Sequence, residues 1–361
     1  MDKLILVAGL ILLLCSSCTQ TTDQSFVKLE PSFELSHSDL QEPITLQGEY
    51  ILDEYSLNPT RILAVGNYLF LTNANSTGDQ LLTCFNLQTD SVTYSTTYGE
   101  GPLEMQSIYS MQHYGDSLFL YDRTLKKGLV YSISQFSHAP IEPMRSIRFD
   151  EYPRDVAMLS DGSFIATSYY AENLKRIWHY NREGIFQRAY FSYPNTRIAG
   201  IDSLGIPEVY VSNMTVNHKI GKFAVANQNQ DLIEIYSEDF EVMGYIYGPD
   251  LFIPAYELEI KDGMRQLWPI DEEIRDAYFS IQSSDKEIFV LYSGEYPFRK
   301  GEEQKMPGHL NKLFVFDWQG RFLRNYILDI PIKTRMSVDF ENKKIYGISD
   351  IEDTKIVRFD F

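Results

Sequence analysis

The stretch Phe316-Asp317-Trp318-Gln319-Gly320-Arg321-Phe322-Leu323 decides the fold. An apolar run closes on an aromatic residue and a small polar residue follows. A glycine then supplies the positive φ that a tight connection needs, and a second strand-like run covers 321–328. The aromatic–polar step recurs at Phe85-Asn86, Tyr131-Ser132, Tyr180-Asn181, Tyr236-Ser237 and Phe359-Asp360. Successive aromatics lie 46, 49, 56, 80 and 43 residues apart. Recurrence at roughly 40–50 residues is the spacing of propeller blades, each a four-stranded antiparallel sheet. The sequence therefore predicts an all-β, six-bladed β-propeller.

Working outward, apolar runs at 68–72, 117–121, 163–167, 222–226, 287–292 and 344–348 read as inner-to-middle strands, and the aromatic–polar pair ends the third strand of each blade. Asn181-Arg182-Glu183-Gly184 repeats the turn chemistry and leads into a fourth strand over 185–191. The last unit reaches only its third strand, over 356–361, whereas 44–52 is strand-like and precedes the first blade. An open edge would be a pairing hazard. The amino-terminal segment is therefore expected to supply the missing outer strand and close the ring.

The composition fits this fold. The 361 residues include 25 Tyr and 22 Phe, types that suit pleated, half-buried surfaces, with a carbohydrate-stacking surface as the sharper alternative. Net charge is −18, from 50 acidic and 32 basic residues, which works against polyanion binding and excludes nucleic acid as an expected partner. Lys126-Lys127 reads as a solvated hairpin tip. Two stretches exceed a minimal blade: 249–273, which contains Trp268-Pro269-Ile270 followed by Asp271-Glu272-Glu273 and where a short helix is expected, and the polar 294–311. Both read as functional loops or as surface drift.

The amino terminus carries an address. Leu4 to Cys15 is an unbroken apolar run of twelve residues behind Lys3, the length of a signal-peptide core and short for a membrane span. Ser16-Ser17-Cys18 resembles a bacterial lipobox, although Cys15 stands where Leu is usual. That resemblance implies a signal peptide over 1–17, lipidation of Cys18 and a membrane anchor; an ordinary secretory signal or an uncleaved anchor are the other readings. More than one acyl chain makes such anchoring stable. Residues 18–42 read as a polar tether, and 43–361 as the propeller. Cys84, in a strand-like run, is left as a lone thiol expected to be buried and inert.

Tyr98-Gly99-Glu100-Gly101-Pro102-Leu103-Glu104-Met105 is similar to the Gly-x-Gly-Pro-x-Glu element of the TolB-like six-bladed propeller lipoproteins of Bacteroidetes, with Leu103 where Gly is common. The stretch from Tyr152 to Phe164 also resembles the beginning of a blade in wider six-bladed families. The resemblance implies a propeller at the cell envelope, lipid-anchored at the outer membrane, and leans towards binding rather than catalysis. Gly99 and Gly101 would permit a tight reversal, Pro102 would fix the next φ, and Glu104 would accept backbone N–H groups. These residues read as structural, with a ligand role for Glu100 or Glu104 as the alternative.

No metalloprotease, phosphate-loop, calcium-loop or nucleophile-elbow motif is present. His37, His113, His138, His179, His218 and His309 are scattered singly in the sequence, so no metal site and no cofactor are expected. Asp90-Ser91-Val92, Asp116-Ser117-Leu118 and Asp202-Ser203-Leu204 resemble an O-glycosylation acceptor of Bacteroidetes, and equally a polar turn opening a strand. The expected function is binding of a protein or glycan partner on one rim or in the central funnel. The alternative is a calcium-dependent hydrolase, lactonase or lyase with channel-facing carboxylates.

Overall fold

The computed structural model describes residues 28–361 apart from 41, 56–57, 74–79, 139, 169–174, 195–200, 202–204, 253, 303–309 and 352. Six antiparallel sheets follow one another, and within each the chain runs from the innermost strand outward. Their innermost strands are Pro59–Val65, Ser110–Tyr114, Pro153–Met158, Ser212–Asn217, Tyr278–Ser283 and Met336–Asp339, which begin blades 1 to 6. Each inner strand touches the next, and that of blade 6 touches that of blade 1, so the ring is closed.

The recurring sequence step now has a physical cause. Phe85, Tyr131, Tyr180, Tyr236, Phe316 and Phe359 are all buried, packed in the apolar layers that separate neighbouring blades. The polar residue after the aromatic organises the turn. Asn181 Oδ1 accepts the Glu183 and Ile185 N–H groups at 3.1 and 2.9 Å. Asp317 Oδ1 does the same for Gln319 and Arg321, both at 2.9 Å. Asn86 accepts from Gln88 and Thr89. An apolar wedge in every blade, with a turn acceptor after it in blades 1, 3 and 5, thus accounts for the recurring step.

The amino-terminal segment does close the ring. Gly48–Ile51 pairs antiparallel with Lys355–Asp360 and forms the outer strand of blade 6. The expected strand over 44–52 is divided, however. Ile44–Leu46 pairs parallel with Phe322–Ile332 on the edge of blade 5. Further upstream, within the stretch read as a tether, Ser32–Glu34 pairs parallel with Val242–Tyr247 on the edge of blade 4. The chain therefore straps blades 4, 5 and 6 from outside. Open outer edges invite such pairing, and Leu35 and Leu46 are buried against them.

A second correction concerns 249–273, which holds a hairpin and no helix among its described residues: Tyr256–Lys261 pairs with Met264–Pro269. Asp262 and Gly263 both take positive φ, 53° and 77°, as a two-residue hairpin turn requires. A short helix, Ile206–Val209, lies instead in the link between blades 3 and 4. The two long links pack together through Tyr193, Ile206, Tyr210, Phe252, Tyr256 and Ile274.

Candidate functional site

Because every blade runs outward in chain order, the inner strands all begin on one face. That face also carries the long links 193–211 and 248–277 and the loop 293–309, in so far as these are described. The central channel opens here through a cavity of about 60 Å³ lined by all six inner strands or the residues just before them.

Inner-strand edges facing a channel leave backbone groups to be satisfied. Side chains bridge every junction, and at five of the six they meet a backbone group. The Arg61 Nε donates to the Tyr109 carbonyl at 2.9 Å, and the Ser110 hydroxyl donates to Asp155. Asp155 in turn accepts the Met214 N–H, and Asn213 Nδ2 donates to the Phe279 carbonyl at 3.0 Å. The Met336 N–H donates to Ser280 at 3.3 Å and the Ala64 N–H to Ser337 at 2.8 Å. The inner ring is therefore stitched by side chains from blade to blade.

Two guanidiniums converge on this mouth. Arg335, which precedes the inner strand of blade 6, donates to Asn213 and lies 3.4 Å from the Phe279 carbonyl. Its Nε is buried with no hydrogen-bond partner among the described residues. Burial, with Arg335 beside it, brings Arg61 down to about 10. The Tyr109 ring lies between Arg61 and Arg123, whose guanidinium carbons are 5.2 and 4.4 Å from its centre. Opposite them is one carboxylate, Asp155. Burial raises its pKa, while Ser110, Arg335 and Arg61 oppose that rise. Ladder irregularities at Pro59/Arg61, Pro153/Val156 and Tyr278/Ser280 open three of the inner strands. Such bulges re-aim side chains, here at the positions that supply Arg61 and Asp155.

The Gly-x-Gly-Pro-x-Glu loop joins blades 1 and 2 on the same face. Glu104 accepts the Gly101 N–H at 2.7 Å, and its own N–H donates to the Gly101 carbonyl at 3.1 Å. A Cβ at Gly99 would overlap the Glu104 carboxylate. The Pro102 carbonyl accepts from Ser146 at 3.1 Å, and Glu100 accepts from Gln106 at 2.8 Å. Lys127 corrects the expectation of a solvated tip: it is buried, and its Nζ donates to the Gly101 and Glu104 carbonyls at 2.6 and 2.7 Å. Nearby, Asp122 accepts the consecutive N–H groups of Gln106 and Ser107. Asp231 repeats that device between blades 4 and 5, accepting from Asp250 and Leu251 at 2.8 and 3.1 Å and from the Tyr278 hydroxyl at 2.9 Å. Burial pushes Asp231 and Asp276 each up to about 7.

The remaining candidates fall elsewhere. Cys18, the Asp202-Ser203-Leu204 triplet and His309 lie outside the described residues. Cys84 is buried, and burial pushes its thiol up to about 12. His37 contacts Asp250 at 3.0 Å, and His179 contacts Ser163 at 3.2 Å. His218 stacks on Tyr114 with ring centres 3.9 Å apart, and burial with the nearby His113 holds it down to about 4. Among the described residues no group of three or more His, Cys, Asp and Glu is placed to hold a metal ion. The mouth, with Arg61, Asp155, Asn213 and Arg335, was missed in the sequence because those residues are dispersed over more than 270 positions.

Fold and site together define a six-bladed propeller with a polar, arginine-bearing channel mouth. The family model for the TolB-like 6-blade propeller-like proteins matches residues 39–340, and the chain belongs to that family. Among solved structures it is similar to a protein of Bacteroides fragilis NCTC 9343 whose name describes it as exported, with a TM-score of 0.54 and 11% identity over 91% of this chain and 98% of that one. It is also similar to a member of the DUF4221 family from Bacteroides vulgatus, with a TM-score of 0.53 and 10% identity over 89% of this chain and 97% of that one. No curated protein matches the chain.

Proposed function

We propose that this chain is a cell-envelope lipoprotein, held at the outer membrane through acyl chains on Cys18, whose propeller is a binding module for a protein or glycan partner. The observation that carries the reading is the shared placement of the channel mouth and the long interblade links on one face. Concave openings in a largely preformed scaffold, with a few convergent polar groups, suit recognition. The envelope address rests on the lipobox-like Ser16-Ser17-Cys18, and the name of the Bacteroides fragilis neighbour supports it. Nothing at the mouth favours the calcium-dependent reading, since the groups gathered there carry more guanidinium than carboxylate charge.

Two measurements test the proposal. Metabolic labelling with palmitate should mark the wild type and leave Cys18→Ser unlabelled and released from the membrane fraction; an unlabelled wild type overturns the anchor. Capture of the cross-linked protein from native membranes should yield a reproducible protein or glycan partner, and repeated capture without one counts against the binding module.

A further inference from the structure

The mouth contains a feature that the stitching of the blades does not use up. Each of the six junctions is closed by contacts between neighbouring blades, from a hydroxyl, an amide, a carboxylate or, at Arg61, a single Nε. Arg335 differs. It reaches past blade 5 to Asn213 of blade 4 and so spans the opening, and its buried Nε has no partner among the described residues. An unpaired donor on a buried cation is unfavourable, and an acceptor brought by a ligand would relieve it. Arg61 faces it across the same cavity, and the two like charges disfavour one another. Asp155 compensates one of them and is itself committed to Ser110 and Met214. The residues lining the cavity therefore include two guanidiniums, Arg61 and Arg335, and one carboxylate, Asp155, inside a chain whose net charge is −18.

We propose that the channel mouth is a binding site for a single carboxylate group, held between Arg335 and Arg61 with Asn213 and Tyr109 at its sides. This deepens the binding-module reading and rests on it. The charge balance favours a monoanion: one carboxylate neutralises the surplus guanidinium, whereas a phosphate dianion would overfill the site and face Asp155. Guanidinium groups match planar carboxylates with paired N–H donors. A cavity of about 60 Å³ exceeds the 10–15 Å³ or so that one water needs, and admits a carboxylate with its attached carbon while the rest of the ligand remains in the open funnel. The carboxylate could be carried by an acidic sugar or by a peptide chain end, and the two sources are separated by the choice of probe.

The experiment is titration calorimetry on the full mature chain in detergent at low salt, with glucuronate, N-acetylalanine, glucose and inorganic phosphate as probes. Saturable binding of glucuronate or N-acetylalanine, at least tenfold tighter than glucose and phosphate, is expected. Preference for glucuronate assigns the group to a glycan, and preference for N-acetylalanine assigns it to a protein terminus. Arg335→Gln should weaken carboxylate binding at least tenfold. Asp155→Asn, which keeps the acceptor for Met214 and can donate to Ser110, should tighten it and raise phosphate to comparable affinity. Equal binding of glucose and glucuronate, phosphate preferred by the wild type, no binding of either carboxylate, or an unchanged affinity in a folded Arg335→Gln protein overturns the inference. A native partner whose capture survives Arg335→Gln also overturns it while leaving the binding-module reading intact.

Discussion

Replacing Arg176 with Met should destabilise the propeller more than any exposed charge deletion, because the pair it forms is wholly enclosed. Arg176 is 1% exposed and Glu234 is 0% exposed. The guanidinium Nε donates to Glu234 Oε2 at 2.9 Å, and Nη2 reaches Glu234 Oε1 at 2.8 Å and Asn227 Oδ1 at 2.7 Å. Asn227 and the Tyr236 hydroxyl also donate to Glu234, and Nη1 lies 3.4 Å from the Tyr210 carbonyl. The pair therefore ties the third strand of blade 3 to blade 4 and holds down the link that carries Ile206–Val209. Without Arg176, Glu234 remains enclosed with two neutral donors, a loss on the order of 3–5 kcal/mol. At about 2.1 cal/mol/K of unfolding entropy per residue, a domain of this size should lose roughly 4–7 °C in Tm. The assay is a double-mutant cycle by urea and thermal unfolding. Arg176→Met and Glu234→Leu singly should each cost several kcal/mol, and together less than their sum by about 2 kcal/mol or more. Arg176→Lys should recover little, since an ammonium cannot reproduce the paired donors. Strict additivity, or an Arg176→Met protein within about 1 kcal/mol of wild type, would refute the reasoning.

Other consequences can be measured on the same material. Asp231 titrates near 7 in the folded chain against 3.8 as its ordinary value, so the folded state binds the extra proton between those limits. Its contribution is present below about pH 4 and is lost as pH rises through about 7; the stability of wild type minus Asp231→Asn, from urea melts, should fall over that window, and a flat difference would contradict the assignment. Lys127→Met should cost about 1–3 kcal/mol by stranding the Gly101 and Glu104 carbonyls, and should speed amide exchange across 99–106. Leu46→Ala should cost about 2–5 kcal/mol in urea unfolding, because Leu46 is buried where the strap crosses blade 5. An exchange or stability profile matching the wild type would remove the structural role given to either residue.

Much of the architecture was legible because each blade repeats a physical requirement. An aromatic must fill the layer between sheets and an acceptor must organise the next turn, so Tyr180-Asn181 and Phe316-Asp317 announce themselves. The hairpin at 256–269 was legible in principle too: Tyr256-Glu257-Leu258-Glu259-Ile260 alternates with period two and Asp262-Gly263 is a hairpin turn. The expectation of a helix gave weight to Trp268-Pro269-Ile270 over that alternation. The strap was harder to see, since Phe33 and Leu35 stand in an otherwise polar stretch, Leu46 belongs to a run that reads as one strand, and parallel pairing leaves no hairpin signal. Lys127 was misread because a lysine beside another lysine looks like solvent-facing charge, and only the fold places two carbonyls above it. The mouth was invisible for a different reason. Arg61, Asp155, Asn213 and Arg335 come from four blades, and no local pattern marks residues that meet only when the ring closes.

The most direct test of the account is to ask which face of the propeller meets its partner in the native envelope. A photo-crosslinking residue can replace Tyr296, exposed beside the long links, or Ile220, exposed in the turn between the first two strands of blade 4 on the opposite face. The account predicts a specific adduct from position 296 and none from position 220. An adduct formed at position 220 alone would contradict it.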